Sequence, residues 1–218
     1  MNDTWVTIPC HRPYLPLLRE CVSSVLAAGI PPTRILVIAT DADAIRSNEL
    51  PVANIAVHRY LGEWNMSKWW NLGLDIAAAA SRGLPHEVLV LNADATVDGV
   101  AIYEMALHLR LHGCSMASPD RSGTRQLPHV MKELRPYPKA MNAAGCAFML
   151  AGEHGLRCDT RLPGWFNDDD IEWQARAHSG VVIVPTAFVH HTDHGAGGEF
   201  KEEGLKVFRE KWKSEPWI

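Results

Sequence analysis

No apolar stretch in this chain approaches the ~18 residues that a membrane-crossing helix needs, which argues against a helical span. The opening Met1-Asn2-Asp3-Thr4 has neither the basic start nor the apolar core of a secretion signal, so a cytoplasmic location is expected. There is no Cys-x-x-Cys pair, and the five cysteines are an odd number. That pattern favours free thiols in a reducing compartment over a disulfide framework or a cysteine zinc site. Strong net charge is also missing: Lys plus Arg number 21 and Asp plus Glu 25, a balance of −4. Nothing in that balance pulls the chain as a whole toward nucleic acid or anionic lipid. Internal repeats and low-complexity linkers are absent. So is a glycine-rich loop after the first apolar run, where Pro9-Cys10-His11-Arg12-Pro13 stands instead.

What is present is an ordinary globular composition, 47% hydrophobic and 21% charged over 218 residues, enough for one sizeable core. Apolar, β-branched runs alternate with helical patterns. The strand candidates are Trp5–Pro9, Ile35–Ala39, Asn54–Val57, Glu87–Asn92, Ser115–Ser118, Cys146–Leu150 and Val181–Val184. Helices are expected over Leu15–Ala28, over Ser67–Ser81 with Asn65 or Ser67 as cap, and from Asp98 to before Gly113. Two more are expected, from among Asp168–Asp170 to before Gly180 and over about Glu199–Lys213. Strands that alternate with helices indicate a layered α/β fold with a largely parallel sheet.

One stretch breaks this rhythm. Between Pro119 and Ala144 there is no clean period, and Pro128, Pro136 and Pro138 interrupt it. Long irregular segments in compact domains are often binding loops. Arg121, Arg125, Lys132, Arg135 and Lys139 face only Asp120 and Glu133 here, a local excess of three positive charges in a chain of net −4. The plain reading is a solvated loop. The functional reading is a site for phosphate or a polyanionic acceptor, with a modified nucleic-acid base as one candidate.

Three further clusters carry chemistry. Asn92-Ala93-Asp94 follows the apolar run Val88-Leu89-Val90-Leu91, at the carboxyl end of a predicted strand, where ligands of open α/β sheets sit. An acid there can hold a hard cation such as magnesium or manganese against a diphosphate, or simply end the strand in an Asx turn. Asp168-Asp169-Asp170-Ile171-Glu172 places four acids in five residues at a helix start, between Trp165 and Trp173. Capping explains one or two of them. Crowding of the rest raises at least one pKa, which suits a general base toward an alcohol. Finally, Val181–Val184 leads on to His190-His191, and an imidazole beside a strand end is a common metal ligand. Of these histidines, His190 is the expected ligand, with His191 and His194 expected in a polar loop.

Taken in order, these motifs resemble the family 2 glycosyltransferases of GT-A fold, over about Val6 to Gly198. Val6-Thr7-Ile8-Pro9 is similar to the family's first strand, and Leu36-Val37-Ile38-Ala39-Thr40-Asp41 to its second. Asn71-Leu72-Gly73-Leu74 is similar to its Asn-x-Gly helix start. Asn92-Ala93-Asp94 stands at its Asp-x-Asp, with an amide in place of the first acid. Asp169-Asp170-Ile171-Glu172 with Arg176 and Gly180 is similar to its Glu-Asp-x-Asp helix, and Val189-His190 to its late histidine.

The resemblance implies a single domain with a mostly parallel central sheet flanked by helices. Residues 1–98 would form the nucleotide-sugar half, 99–198 the acceptor and catalytic half, and 199–218 a C-terminal helix. The implied activity is inverting transfer from a UDP-sugar to an acceptor hydroxyl of a glycan, a metabolite or a nucleic-acid base. Pro9, Asn71, Asn92 and Asp94 would serve the donor, and Asp41, with Asp43 as substitute, would read the nucleotide base. Asp94 and His190 would hold Mn2+ or Mg2+. Asp170 would be the base, with Asp169 and Glu172 placing the substrates. Trp165 would stack on a sugar, with Arg121 and Arg125 toward the acceptor. A nucleotidyltransferase and a non-catalytic nucleotide-sugar binder are the alternatives.

Overall fold

The computed structural model describes residues 3–40, 45–192 and 200–218. Asp41, Asp43 and His194 therefore lie outside the described residues. Ten strands are described: β1 Thr4–Cys10, β2 Ile35–Ala39, β3 Ala56–Arg59, β4 Glu87–Leu91, β5 Ala95–Val97, β6 Met116–Pro119, β7 His129–Met131, β8 Ala147–Ala151, β9 Val181–Val184 and β10 Val189–His191. Five α-helices accompany them: α1 Leu15–Ala27, α2 Met66–Ser81, α3 Ala101–His112, α4 Asn167–His178 and α5 Lys201–Trp212.

Eight of these strands form one sheet in the order β3-β2-β1-β4-β8-β6-β9-β7. β1, β2, β3 and β4 pair in parallel, as do β6 and β9. β8 runs antiparallel between β4 and β6, and β7 runs antiparallel on the β9 edge. β5 and β10 form a separate antiparallel pair.

Alternation along the strands sorts the core into two layers. Val6 and Ile8 pack with Leu18, Val22 and Val25 of α1 and Ile102, Met105 and Leu109 of α3. Trp5, Leu36, Val88 and Val90 pack on the other face with Trp70 and Leu74 of α2 and Ile171 and Ala175 of α4. α2 approaches the sheet closely because residue 73 is glycine: a Cβ there would sit 1.9 Å from Thr7 Oγ1. α5 lies outside this sandwich. Its Phe208 closes a third cluster with Leu162, Phe166 and Trp173.

The expected alternation and mostly parallel sheet are observed, with small shifts. The third strand begins at Ala56, not Asn54, because Asn54 takes a left-handed φ of 69° and so belongs to the turn. α3, expected from Asp98, starts after Val100, and the Asp98 backbone carbonyl accepts a hydrogen bond from Ala101 N. β5, β7 and β10, each three residues long, were not predicted. Three residues are too few for a period to show.

Candidate active site

Several segments end at the carboxyl edge of the parallel strands and enclose a cleft of about 510 Å³. Asn92 follows β4, and Pro119, Asp120 and Arg121 follow β6. Ala144, Gly145 and Cys146 lead into β8, and Asn167, Asp168 and Asp169 open α4. His191 reaches in from β10, and Lys139, Trp165, Phe188 and Trp217 complete the wall.

The acidic cluster divides by helical geometry. Successive residues turn by about 100°, so adjacent carboxylates cannot all face one way. Asp168 and Asp169 are half-buried and line the cleft. Asp168 lies against Gly145, where any Cβ would meet its Oδ2 at 2.1 Å. Burial raises the Asp168 carboxyl above its usual value, opposed by nearby Arg121 and Lys139. Asp169 is pushed well above the usual carboxylate range by burial, then by the charges of Asp168 and Glu172; a hydrogen bond from Asn142 opposes this.

Asp170 and Glu172 point elsewhere, which corrects two expectations. Asp170 is fully buried and does not line the cleft. It accepts hydrogen bonds from Trp212 Nε1 at 2.8 Å, Gln174 Nε2 at 2.8 Å and Lys211 Nζ at 3.0 Å, and so fastens α5 to α4. A carboxylate engaged in this way is not presented to an acceptor. Glu172 is 1% exposed; it pairs with buried Arg176 and accepts from Ala143 N at 2.6 Å. Arg176 in turn donates to the Arg135 carbonyl at 3.0 Å, so the pair clamps the irregular loop onto α4. Glu172 therefore has no free oxygen face for a sugar. No side chain caps α4; Phe166 holds the N-cap position in a left-handed conformation.

The two histidines separate for an analogous reason, period two in a strand. In β10, His190 pairs with Thr96 and His191 with Ala95. His190 is largely exposed and its Nε2 lies 3.3 Å from Asp98 Oδ1, on the side away from Asp94. His191 Nε2 lies 3.2 Å from Asp94 Oδ1, and His191 lines the cleft. Backbone bonds fix this arrangement: Thr192 N donates to the Asp94 carbonyl at 3.0 Å, and Ala95 N to the Asn92 carbonyl at 3.1 Å.

This corner fits a divalent cation in its donor types. Asn92 Oδ1 is buried and lacks a hydrogen-bond partner, next to a carboxylate and an imidazole already paired. Among the described residues, no three or more His, Cys, Asp or Glu side chains gather as a cage. A cation here would need oxygens from a bound diphosphate as well.

The remaining expected site residues separate similarly. Asn71 uses both ends of its amide on the Cys158 backbone, donating to its carbonyl and accepting from its N–H at 2.9 Å each. It tethers α2 to the 156–162 segment and does not line the cleft. Pro9 is buried within β1, paired with Ile38 of β2. Arg125 folds back on Asp120 and also donates to the Met141 carbonyl, so it too is structural. Arg121 and Trp165 do line the cleft. Sequence reasoning missed Trp217, Phe188 and Asn142. An aromatic residue beside Pro216 in a polar tail was the one available signal for Trp217.

No protein-family model matches this chain, and neither does any curated protein. Solved structures do. The 1–349 fragment of S. aureus TarS superposes with a TM-score of 0.61 at 15% identity, over 95% of this chain and 63% of the fragment. The same fragment in complex with UDP-GlcNAc gives 0.61 at 13% identity. GalNAc-T7 with UDP, GalNAc and Mn2+ gives 0.66 at 15% identity, over 97% of this chain and 49% of that one.

The fold is the GT-A fold. Within it, the cleft lies at the carboxyl edge of the sheet. No described helix is long and apolar enough to cross a membrane.

Proposed function

We propose that this protein is a family 2-like glycosyltransferase that moves a sugar from a UDP-sugar to an acceptor hydroxyl with inversion at the anomeric carbon. The observation that carries the reading is one cleft lined by Asn92, His191 and a raised carboxylate pair, Asp168 and Asp169, with Asp94 behind His191 at 3.2 Å. The GT-A fold supports it, and so do the two solved relatives, which were captured with UDP, UDP-GlcNAc or GalNAc.

Asp169 is the base in this reading. Its carboxylate accepts the acceptor's O–H proton as the acceptor oxygen attacks the anomeric carbon. The bond from that carbon to the diphosphate oxygen breaks, and the nucleoside diphosphate leaves with the electron pair. A base works best when its pKa lies near the working pH, which the elevation of Asp169 favours. Asp168 holds charge beside it. Asp94 and His191, with Asn92 Oδ1, would hold a manganese or magnesium ion. When bound, such an ion supplies positive charge for the leaving diphosphate.

The test is Asp169→Asn with UDP-GlcNAc as the first donor probe. Affinity for UDP should stay near wild type, while the transfer rate falls by roughly two to four powers of ten. A variant that transfers at more than a tenth of the wild-type rate removes Asp169 from the role.

A further inference from the structure

We propose that the wall formed by Trp165, Trp217, Arg121 and Lys139 is the acceptor subsite, and that it takes a sugar carrying a phosphate or carboxylate group. The proposal rests on the glycosyltransferase reading and narrows it to a substrate class. It begins with how the irregular loop disposes of its five cations. Arg125 is neutralised by Asp120. Arg135 pairs with Glu133 and lies 4.5 Å over the Tyr137 ring. Lys132 runs along Gly180 and does not line the cleft. Arg121 and Lys139 remain, and both line it. Among the described residues, neither is within ion-pair distance of a carboxylate, and both stand near enough to Asp168 to oppose the rise of its carboxyl.

A phosphodiester chain needs an extended array of cations, each neutralising one phosphate. Two cations at one cleft match one anionic group, and the broad basic patch expected from the sequence does not survive folding. The aromatic walls supply the rest of the chemistry. A sugar offers apolar C–H faces beside its hydroxyls, and an indole face covers the former. Trp217 is held for this by the tail around it. Ile218 N donates to the Tyr137 carbonyl at 3.1 Å, and Asn142 Nδ2 to the Pro216 carbonyl at 3.4 Å. The Trp217 ring packs 5.1 Å from Phe166, and the Lys139 ammonium sits 5.2 Å over its centroid. Cation and indole therefore form one unit in the wall of the cleft that Asp169 also lines. Asn92, Asp94 and His191, assigned above to the donor's diphosphate, come from other segments.

The experiment measures binding by the full chain of glucose, glucose 6-phosphate, glucuronate, inorganic phosphate and UDP. It compares wild type, the Arg121→Gln/Lys139→Gln double variant and Trp217→Phe. Charge-assisted hydrogen bonds predict that at least one anionic sugar binds about tenfold or more tighter than glucose. The better of the two identifies the class as phosphate or carboxylate. The double variant should erase that preference with UDP affinity within about twofold of wild type. Inorganic phosphate should bind more weakly than the preferred sugar, because it lacks the face that stacks, and Trp217→Phe should keep the preference. Equal binding of glucose and both anionic sugars overturns the proposal. Loss of UDP affinity in the double variant also overturns it, since the cations then serve the donor. If wild type binds anionic sugars but not UDP, this subsite stands and the glycosyltransferase reading falls.

Discussion

Asp168 and Asp169, which open onto the cleft, and Asp170 and Glu172, which are buried in the protein, are the same chemistry placed in opposite service. The first two open onto a cleft, where burial outweighs the nearby Arg121 and Lys139 charges and raises their carboxyls; burial raises Glu172 as well, so it is geometry that separates the two pairs. The other two are consumed by architecture: Asp170 by Lys211, Trp212 and Gln174, and Glu172 by Arg176 and Ala143 N. The difference teaches that an acidic cluster is read by what each member faces, and by what already donates to it. β10 repeats the lesson with His191 and His190, one aimed at Asp94 and the other at Asp98.

The sharpest stability effect should come from the architectural side. Glu172→Gln leaves the Arg176 charge buried without its partner, and losses of about 3–5 kcal/mol are typical of such half-broken pairs. Denaturant unfolding should show this as a lowered midpoint. Asp170→Asn should cost somewhat less, about 3 kcal/mol, because Lys211 keeps a quarter of its side chain in solvent. Its unfolding should be accompanied by early loosening of α5, seen as faster amide exchange over Lys201–Trp212.

Next in size is the histidine comparison. His191→Ala should weaken manganese-dependent UDP binding by about tenfold or more, since in the proposed reading it removes a metal ligand that the other side chains cannot replace. His190→Ala should leave it unchanged. Titration calorimetry of UDP with and without Mn2+ decides between them, and equal effects would erase the distinction drawn from strand alternation.

The smallest effect concerns Asp169 itself. Its carboxyl is raised in the folded protein, so above the ordinary carboxylate range of about 4 the folded state holds a proton that the unfolded chain has released. Wild-type stability therefore falls as pH rises through that window. Asp169→Asn lacks this penalty and should melt slightly higher than wild type at pH 7, with the gap closing near pH 3. A lower melting temperature at pH 7 would mean that the Asp169 carboxylate is structural. For the same reason, the acid limb of the wild-type rate profile should lie above the usual carboxylate range.

Much of this organisation was legible in the sequence. Val88–Leu91 running into Asn92-Ala93-Asp94, and the alternation of β-branched runs with helices, sufficed for the layered sheet and for the end at which the cleft opens. What stayed hidden was orientation at single-residue resolution. Nothing in Asp168-Asp169-Asp170 says that Trp212 and Lys211, over forty residues away, claim the third acid. Nothing in His190-His191 gives the register of a three-residue strand against β5. The basic loop misled for a related reason. Its charges are a property of composition, but Arg125 and Arg135 are spent on Asp120 and Glu133 once the chain folds. Asn71 was expected to serve the donor from its place in the Asn-x-Gly resemblance; its partner is the backbone of Cys158.

The central claim is that cleft-facing acids do chemistry and inward-facing acids do not. The most direct measurement compares the chemical step in Asp169→Asn and Asp170→Asn under saturating UDP-sugar and acceptor, with each rate normalised to the folded fraction. The account predicts a drop of roughly two to four powers of ten for Asp169→Asn and less than a few-fold for Asp170→Asn. The reverse order, or near-wild-type rates in both, would contradict it.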